Sequence, residues 1–188
     1  MNMEIRRLWK NRDVFALCKK SGCADPLQAI KAKARDLVTR SGASRPPFSP
    51  FLMGSLQGVV KVRFRPIGFD ACLIPVDRGF EVHICSNHPE SRQNFSMAHE
   101  VGHLFFMEST GEPGTARRDK RIGYHTIDDE EEYLCDIAAS ELIFPGPFFD
   151  DDVDKVGPSL RGVLELANLY RASLQATALK YAATGIWK

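Results

Sequence analysis

A pair of histidines four residues apart is the feature that most constrains this 188-residue chain. His99 and His103 flank Glu100 in the pattern H-E-x-x-H. Residues four apart on a helix lie on the same face. Both imidazoles could therefore bind one Zn²⁺ ion, while Glu100 acts as a general base on a water molecule. The alternative is a metal-free helix whose two histidines are satisfied by hydrogen bonds.

The residues around this motif predict a buried helix. Residues 95–107 are apolar apart from the motif itself and Ser96, and Pro89 is a typical helix-start residue. Polar groups without partners are costly in a buried helix, and a bound metal would satisfy them. Gly102 lies between the histidines, where glycine weakens a helix by roughly 1 kcal/mol relative to alanine. Two explanations remain open for it, close helix packing or access for a substrate.

Composition indicates one globular domain. Apolar residues make up 44% of the chain and charged residues 26%, and the net charge of +1 gives no overall attraction to nucleic acid or to a membrane surface. We find no signal-peptide pattern and no apolar run of membrane-spanning length. The five cysteines are an odd number without dense spacing, which favours reduced thiols and a cytoplasmic protein.

Three strands are expected before the motif. Residues 59–64, 71–76 and 80–85 have strand composition, and the last of these segments alternates cleanly. We expect a three-stranded antiparallel sheet that leads into the motif helix, with His83 exposed to solvent. An edge strand beside a zinc site could pair with an extended peptide, but the pattern does not show which strand is the edge.

Helical patterns account for much of the remaining chain. They cover residues 27–40, 126–143, 159–170 and 174–181, with a short helix expected within residues 1–24. Residues 44–50, 108–126 and 150–154 are expected to be loops. The fold class is therefore α+β with a helical C-terminal tail. This tail resembles a helix-turn-helix, but its second helix carries Lys180 as its one charge, so direct nucleic-acid binding is not expected.

A third metal ligand must come from elsewhere in the chain, because catalytic zinc usually binds three protein side chains. The extended motif H-E-x-x-H-x-x-G-x-x-H would need glycine and histidine where the chain has Phe106 and Ser109, which excludes that class. The other common third ligand is a glutamate on a later helix.

Residues 128–132 are five consecutive acids at the start of such a helix. Glu132 fits best, because Asp136 follows it on the same face and could accept a hydrogen bond from a ligating histidine. This E-x-x-x-D spacing resembles that of thermolysin-like zinc peptidases with a glutamate ligand. Glu131 is the rival, although its turn neighbour would be Cys135. Asp129 and Glu130 are less favourable.

Two segments together resemble a known family. Residues 92–103 are similar to the R-x-x-F-x-x-A-H-E-L-G-H signature of the ImmA/IrrE zinc metallopeptidases, and residues 132–145 resemble their second signature, E-x-x-A-N-x-F-A-x-E-L-L-M-P. The departures, Val101, Cys135 and Ala138, fall on packing positions. The resemblance extends over residues 27–188, which it implies to be a small zincin-like metallopeptidase domain preceded by an extension, residues 1–26.

The resemblance implies a ligand set and an activity. His99, His103 and Glu132 would bind Zn²⁺, Glu100 would be the catalytic base, and the substrate would be a protein such as a helix-turn-helix transcriptional repressor. Tyr124, His125 and Tyr133 are candidate oxyanion stabilisers by proximity in sequence alone. The second hypothesis is a non-proteolytic, zinc-containing module that docks on a transcription factor or on DNA through the helical tail.

Overall fold

The computed structural model describes residues 9–110, 117–118 and 129–185. These parts of the chain form eight helices and a four-stranded sheet. In chain order they are α1 (Arg12–Ser21), α2 (Pro26–Arg40), α3 (Pro50–Leu56), β1 (Val59–Arg65), β2 (Ala71–Val76), β3 (Gly79–Cys85), α4 (Glu90–Thr110), β4 (Arg117–Arg118), α5 (Asp129–Ile143), α6 (Gly146–Val156), α7 (Leu160–Leu169) and α8 (Leu174–Ala183).

The sheet is mixed, so the expected antiparallel arrangement is wrong although its three strands lie where they were predicted. The strand order is β1-β3-β2-β4, with β1 parallel to β3 and β2 antiparallel to β3. The connection from β1 to β2 passes over the end of β3, where the backbone N–H of Cys85 donates to the carbonyl of Asp70. Alternation along a strand reports which face is buried, and it contains no information on the order of neighbours.

One strand residue also departs from expectation. His83 was expected to be exposed to solvent, but it is half-buried and its Nε2 lies 2.7 Å from Oε1 of Glu81. The same carboxylate pairs with Arg63 on β1. A cross-strand ion pair therefore covers the imidazole.

Helix α4 carries the H-E-x-x-H motif through the centre of the molecule. It packs against the sheet, α1, α3 and α5, and it buries apolar residues along most of its length. Its first turn is fixed to the sheet by Arg92, whose Nε and Nη2 donate to the two carboxylate oxygens of Asp70 at 2.9 and 2.7 Å. A bidentate arginine–carboxylate pair fixes orientation as well as position.

Helix α5 lies between α4 and α2 and confirms the helix predicted after the polar loop. The predicted helix at 27–40 is confirmed as α2, which begins at Pro26 after Asp25 accepts a hydrogen bond from the Leu27 amide. The tail helices are likewise confirmed as α7 and α8.

Three segments were assigned incorrectly from the sequence. Residues 117–118 were expected to lie in a loop but form β4, a fourth strand that pairs with β2. Residues 150–154 were expected to be a loop but belong to α6, which buries Phe149 and Val153 on one face. Their spacing of four residues outweighs the run of acids, of which Asp150, Asp151 and Asp154 are exposed to solvent. Helix α3 was not predicted. Among the described residues, no helix combines the length and apolarity that a membrane span requires.

Candidate metal centre

The motif helix and the following acidic helix meet at Gly102. A Cβ atom added to this glycine would lie 3.0 Å from Cα and 3.1 Å from Cβ of Cys135 on α5. These distances are tighter than ordinary van der Waals contact, so glycine is what allows α4 and α5 to approach this closely. Of the two explanations for Gly102, the structure supports close helix packing.

Across this contact, one carboxylate faces both motif histidines. Oε2 of Glu132 lies 3.0 Å from Nε2 of His99, and Oε1 of Glu132 lies 3.5 Å from Nε2 of His103. Both imidazoles are buried and their ring centroids are 5.0 Å apart. The carboxylate of Glu132 therefore faces the Nε2 atoms of both histidines.

The other nitrogen of each histidine ring faces a different carboxylate. Nδ1 of His99 lies 2.9 Å from Oδ1 of Asp136, and Nδ1 of His103 lies 2.9 Å from Oε1 of Glu131. A histidine that donates its Nδ1–H to a carboxylate has a fixed ring orientation and a free lone pair on Nε2. Nδ1 of each ring therefore faces one carboxylate, and Nε2 of each ring is directed toward Glu132.

Sequence reasoning missed the position of Glu131. It was considered as a rival ligand, but it is buried on the Nδ1 side of His103, opposite the side that faces Glu132. Consecutive helix residues point about 100° apart, so Glu131 and Glu132 cannot present their carboxylates to the same atom in the same way. The spacing of Glu131 four residues before Cys135 was the available signal, because both lie on the face that meets His103.

A second donor set includes a thiol. Ligand atoms of His99, His103 and Cys135 lie within 4.8 Å of one another, and all three residues are buried. However, Sγ of Cys135 is 3.4 Å from Nδ1 of His103, the nitrogen that already contacts Glu131. Burial raises the pKa of the Cys135 thiol well above its ordinary value, and the nearby carboxylates of Glu131 and Glu132 add to this shift. The thiol thus lies on the Nδ1 side of His103, whereas Glu132 lies on the Nε2 side of both rings.

The electrostatics of the site favour positive charge. Burial alone would lower the pKa of His99, but hydrogen bonds to Asp136 and Glu132 and the charge of Glu100 outweigh it and raise that pKa to about 10. Burial tends to raise the pKa of Glu132, but the bond to His99 and the nearby imidazoles lower it overall. Glu100 itself is buried on α4 beside His99. The site thus stabilises a cation among several carboxylates.

Of the candidate oxyanion stabilisers, only Tyr133 belongs to the part of the chain that the structure describes. The ring of Tyr133 lies 6.4 Å from that of Trp9, centroid to centroid, which gives it a packing role on the outside of α5. Tyr124 and His125 lie outside the described residues.

The structure is thus an α+β domain with a candidate metal centre between helices α4 and α5. Residues 74–181, more than half of the chain, match the peptidase M78 family, described as the IrrE N-terminal-like domain. The chain belongs to this family, as its two signatures indicated.

Two curated relatives support the assignment. The chain is 30% identical over 165 residues to the radiation response metalloprotease IrrE of Deinococcus radiodurans, covering 85% of this chain and 47% of that protein. It is 31% identical over 158 residues to the protein of the same name in Deinococcus deserti, covering 83% of this chain and 54% of that protein. The chain thus spans about half the length of these relatives.

Proposed function

We propose that this protein is a zinc-dependent endopeptidase. The observation that carries the proposal is the convergence of the Nε2 atoms of His99 and His103 on the carboxylate of Glu132. Two nitrogens and one oxygen, with each Nδ1 facing a carboxylate, are a donor set that fits Zn²⁺. The relatives named as metalloproteases add support from outside the structure.

In this proposal each residue of the site has a separate task. His99, His103 and Glu132 would hold Zn²⁺, which when bound polarises a water molecule and the scissile carbonyl. Glu100 accepts the proton of the attacking water and donates it to the leaving amine. Asp136 and Glu131 accept the Nδ1–H bonds and so keep both rings in the tautomer that directs a lone pair inwards.

The substrate is proposed to be a regulatory protein, such as a repressor with a helix-turn-helix domain. This part rests on the family resemblance and not on a feature of the site. We also propose a cytoplasmic location, which the five free cysteines support.

One surface feature favours the alternative of a docking module. Helices α7 and α8 expose large apolar side chains, including Leu160 at 80% and Leu179 at 67%. Exposed leucines suit a protein partner better than DNA, whose backbone requires several cationic contacts. In this alternative the metal would be structural and Glu100 would have no chemical task.

Zinc content of the purified chain tests the ligand set. We expect about one zinc per wild-type chain, loss of zinc in Glu132→Ala, and retention with weaker binding in Glu131→Ala. No zinc in the wild type after reconstitution would rule out the proposal. If Glu132→Ala retained zinc and a Cys135→Ala variant lost it, the third ligand would be the thiol of Cys135 and not the carboxylate of Glu132.

The variant Glu100→Gln separates the two functions. It keeps the shape of the side chain and lies outside the ligand set, so zinc content and thermal stability should match the wild type. Hydrolysis of a quenched-fluorescent peptide library should fall by about 100-fold or more, because the general base is lost. If the cellular effect of the protein survives in Glu100→Gln, the docking module becomes the better explanation.

A further inference from the structure

We propose that the N-terminal segment, residues 9–21, is a brace that holds the metal-ligand helix in place, and that Glu130 is its positioning residue. This inference rests on the proposed function, since it assigns a role toward the same site. The brace lies outside residues 74–181, the part of the chain that matches the family. Its contacts join the end of α4 to the beginning of α5.

The first contact is made by the carboxylate of Glu130. It accepts hydrogen bonds from the backbone N–H of Lys10 at 2.9 Å and from the backbone N–H of Asn11 at 2.8 Å. These amides lie at the start of α1, where N–H groups have no partner within the helix and where the helix dipole favours an anion. The side chain of Asn11 caps the same helix separately, by accepting from the Asp13 amide. Glu130 is therefore tied to the start of α1 through backbone atoms 120 and 119 residues away.

The second contact is an aromatic pair. Trp9 is half-buried, and its ring lies 6.4 Å from that of Tyr133 at an angle of 35°. Glu130 and Tyr133 flank Glu131 and Glu132 in the sequence. The brace thus fixes α5 immediately before and immediately after the two glutamates that face the histidines.

At its other end the brace is fixed to the motif helix. Val14 and Leu17 of α1 are fully buried, and α1 packs along α4. Nζ of Lys20 donates to the carbonyl of Glu108 near the end of α4. One segment consequently contacts both helices that carry the proposed ligands.

Glu132 needs such support more than the histidines do. His99 and His103 lie in the interior of a 21-residue helix, whereas α5 begins at Asp129, so Glu132 belongs to its first turn. The first turn of a helix lacks the N–H bonds that hold its interior, and helix ends open locally more readily than the core. A ligand in this position is stabilised by contacts from outside its own helix, and the brace provides such contacts at Glu130 and Tyr133.

Zinc affinity of the full chain, measured by competition with a chromophoric chelator, tests this inference. Glu130→Ala should raise the zinc Kd by about tenfold, the size of effect seen in other metalloproteins when a residue that orients a metal ligand is lost. Glu130→Gln should give an intermediate rise. Two variants serve as controls. Asp129→Asn removes the neighbouring charge from an exposed position, and Asn11→Ala removes the cap of α1 while leaving the amides that Glu130 binds. Both controls should change the zinc Kd by less than about twofold.

Amide hydrogen exchange provides a readout that does not depend on metal. The amides of residues 133–136, which donate to the carbonyls of the first turn of α5, should exchange faster in Glu130→Ala than in Asn11→Ala, even if both lower the Tm equally. If Glu130→Ala bound zinc with the Kd of the wild type, this inference would be overturned and the proposed function would not be affected. The inference would also be overturned if Asn11→Ala raised the zinc Kd as much as Glu130→Ala at an equal loss of Tm, since that would show a general effect of stability. Absence of zinc from the wild type would instead remove the proposed function, and this inference with it.

Discussion

Helix α5 buries carboxylates near both of its ends, but their partners differ. Near its start, Glu131 and Glu132 contact the imidazoles of His103 and His99. Near its end, Glu141 is 4% exposed, and its oxygens lie 2.7 Å from Nζ of Lys180 and 3.5 Å from Nε of Arg35.

This difference distinguishes a candidate metal site at the start of α5 from a structural ion pair at its end. Lysine and arginine are charged at neutral pH, so Glu141 is permanently paired and joins α5 to α8 and α2. Histidines are ordinarily close to neutral at that pH, and the raised pKa of His99 shows how strongly the first end attracts positive charge. A divalent cation would supply at that end what lysine and arginine supply at the other.

The largest effect is expected at this structural ion pair. Lys180→Met would leave Glu141 buried with Arg35 as its remaining cation, and uncompensated buried charge is costly. We expect urea denaturation to show a loss of about 3 kcal/mol in unfolding free energy, with zinc content unchanged. The double variant Glu141→Gln/Lys180→Met should recover most of the loss. If Lys180→Met also released zinc, the two ends of α5 would be coupled rather than independent.

The next effect is expected at the helix contact beside the site. Gly102→Ala gains about 1 kcal/mol of helix propensity but places a Cβ against the backbone of Cys135, a strain of roughly 1–3 kcal/mol. We expect a net loss of about 1 kcal/mol with a clear loss of zinc, because α4 and α5 must separate.

Gly54→Ala is the matched control for this variant. Its added Cβ would overlap the terminal Cε of Met97, the end of a flexible side chain that can move aside, and it does not meet the backbone of α5. Its zinc content should stay at the wild-type level. Full zinc occupancy in Gly102→Ala would show that the site tolerates a wider helix spacing than the contact implies.

A smaller effect distinguishes the two adjacent glutamates. Glu131→Gln keeps an acceptor for Nδ1–H of His103 but removes its charge, so zinc affinity should fall about tenfold, or about 1.4 kcal/mol. Glu132→Gln should weaken binding much further, because a direct ligand is altered. The reverse order, measured by the same chelator competition, would exchange the roles of the two residues.

Local patterns in the sequence predicted the parts of the fold and site that depend on local geometry. The strand positions follow from alternation. The placement of Glu132 and Asp136 on the side of α5 that faces His99 follows from their four-residue spacing. The order of the strands depends on how the chain crosses the end of β3. The role of Glu131 depends on the angle between α4 and α5. The contact of Glu130 with Lys10 joins residues 120 positions apart. None of these three features can be predicted from a short stretch of sequence.

The smallest effect is expected at a partly exposed ion pair between α4 and α2, which contrasts with the buried pair of Glu141. The carboxylate of Glu108 is about half exposed and lies 2.8 Å from Nζ of Lys33. Burial raises the pKa of Glu108, but the hydrogen bond from Lys33 and the charges of Lys33 and Lys20 outweigh it and lower that pKa below its ordinary value of 4.5. A carboxyl whose folded pKa is lowered stabilises the fold above its unfolded pKa, and this contribution disappears as the pH falls through the folded pKa.

Glu108→Gln should therefore lower the unfolding free energy by no more than about 0.5 kcal/mol at pH 7, since solvent screens an exposed pair. Relative to the wild type, the loss should shrink toward zero below about pH 4 and at about 1 M salt. Lys33→Met is the companion variant, because Nζ of Lys33 also lies 5.9 Å from the centroid of the Phe105 ring. If the loss in Lys33→Met persisted at low pH while that in Glu108→Gln vanished, the lysine would stabilise α4 through its contact with Phe105 rather than through its charge pair.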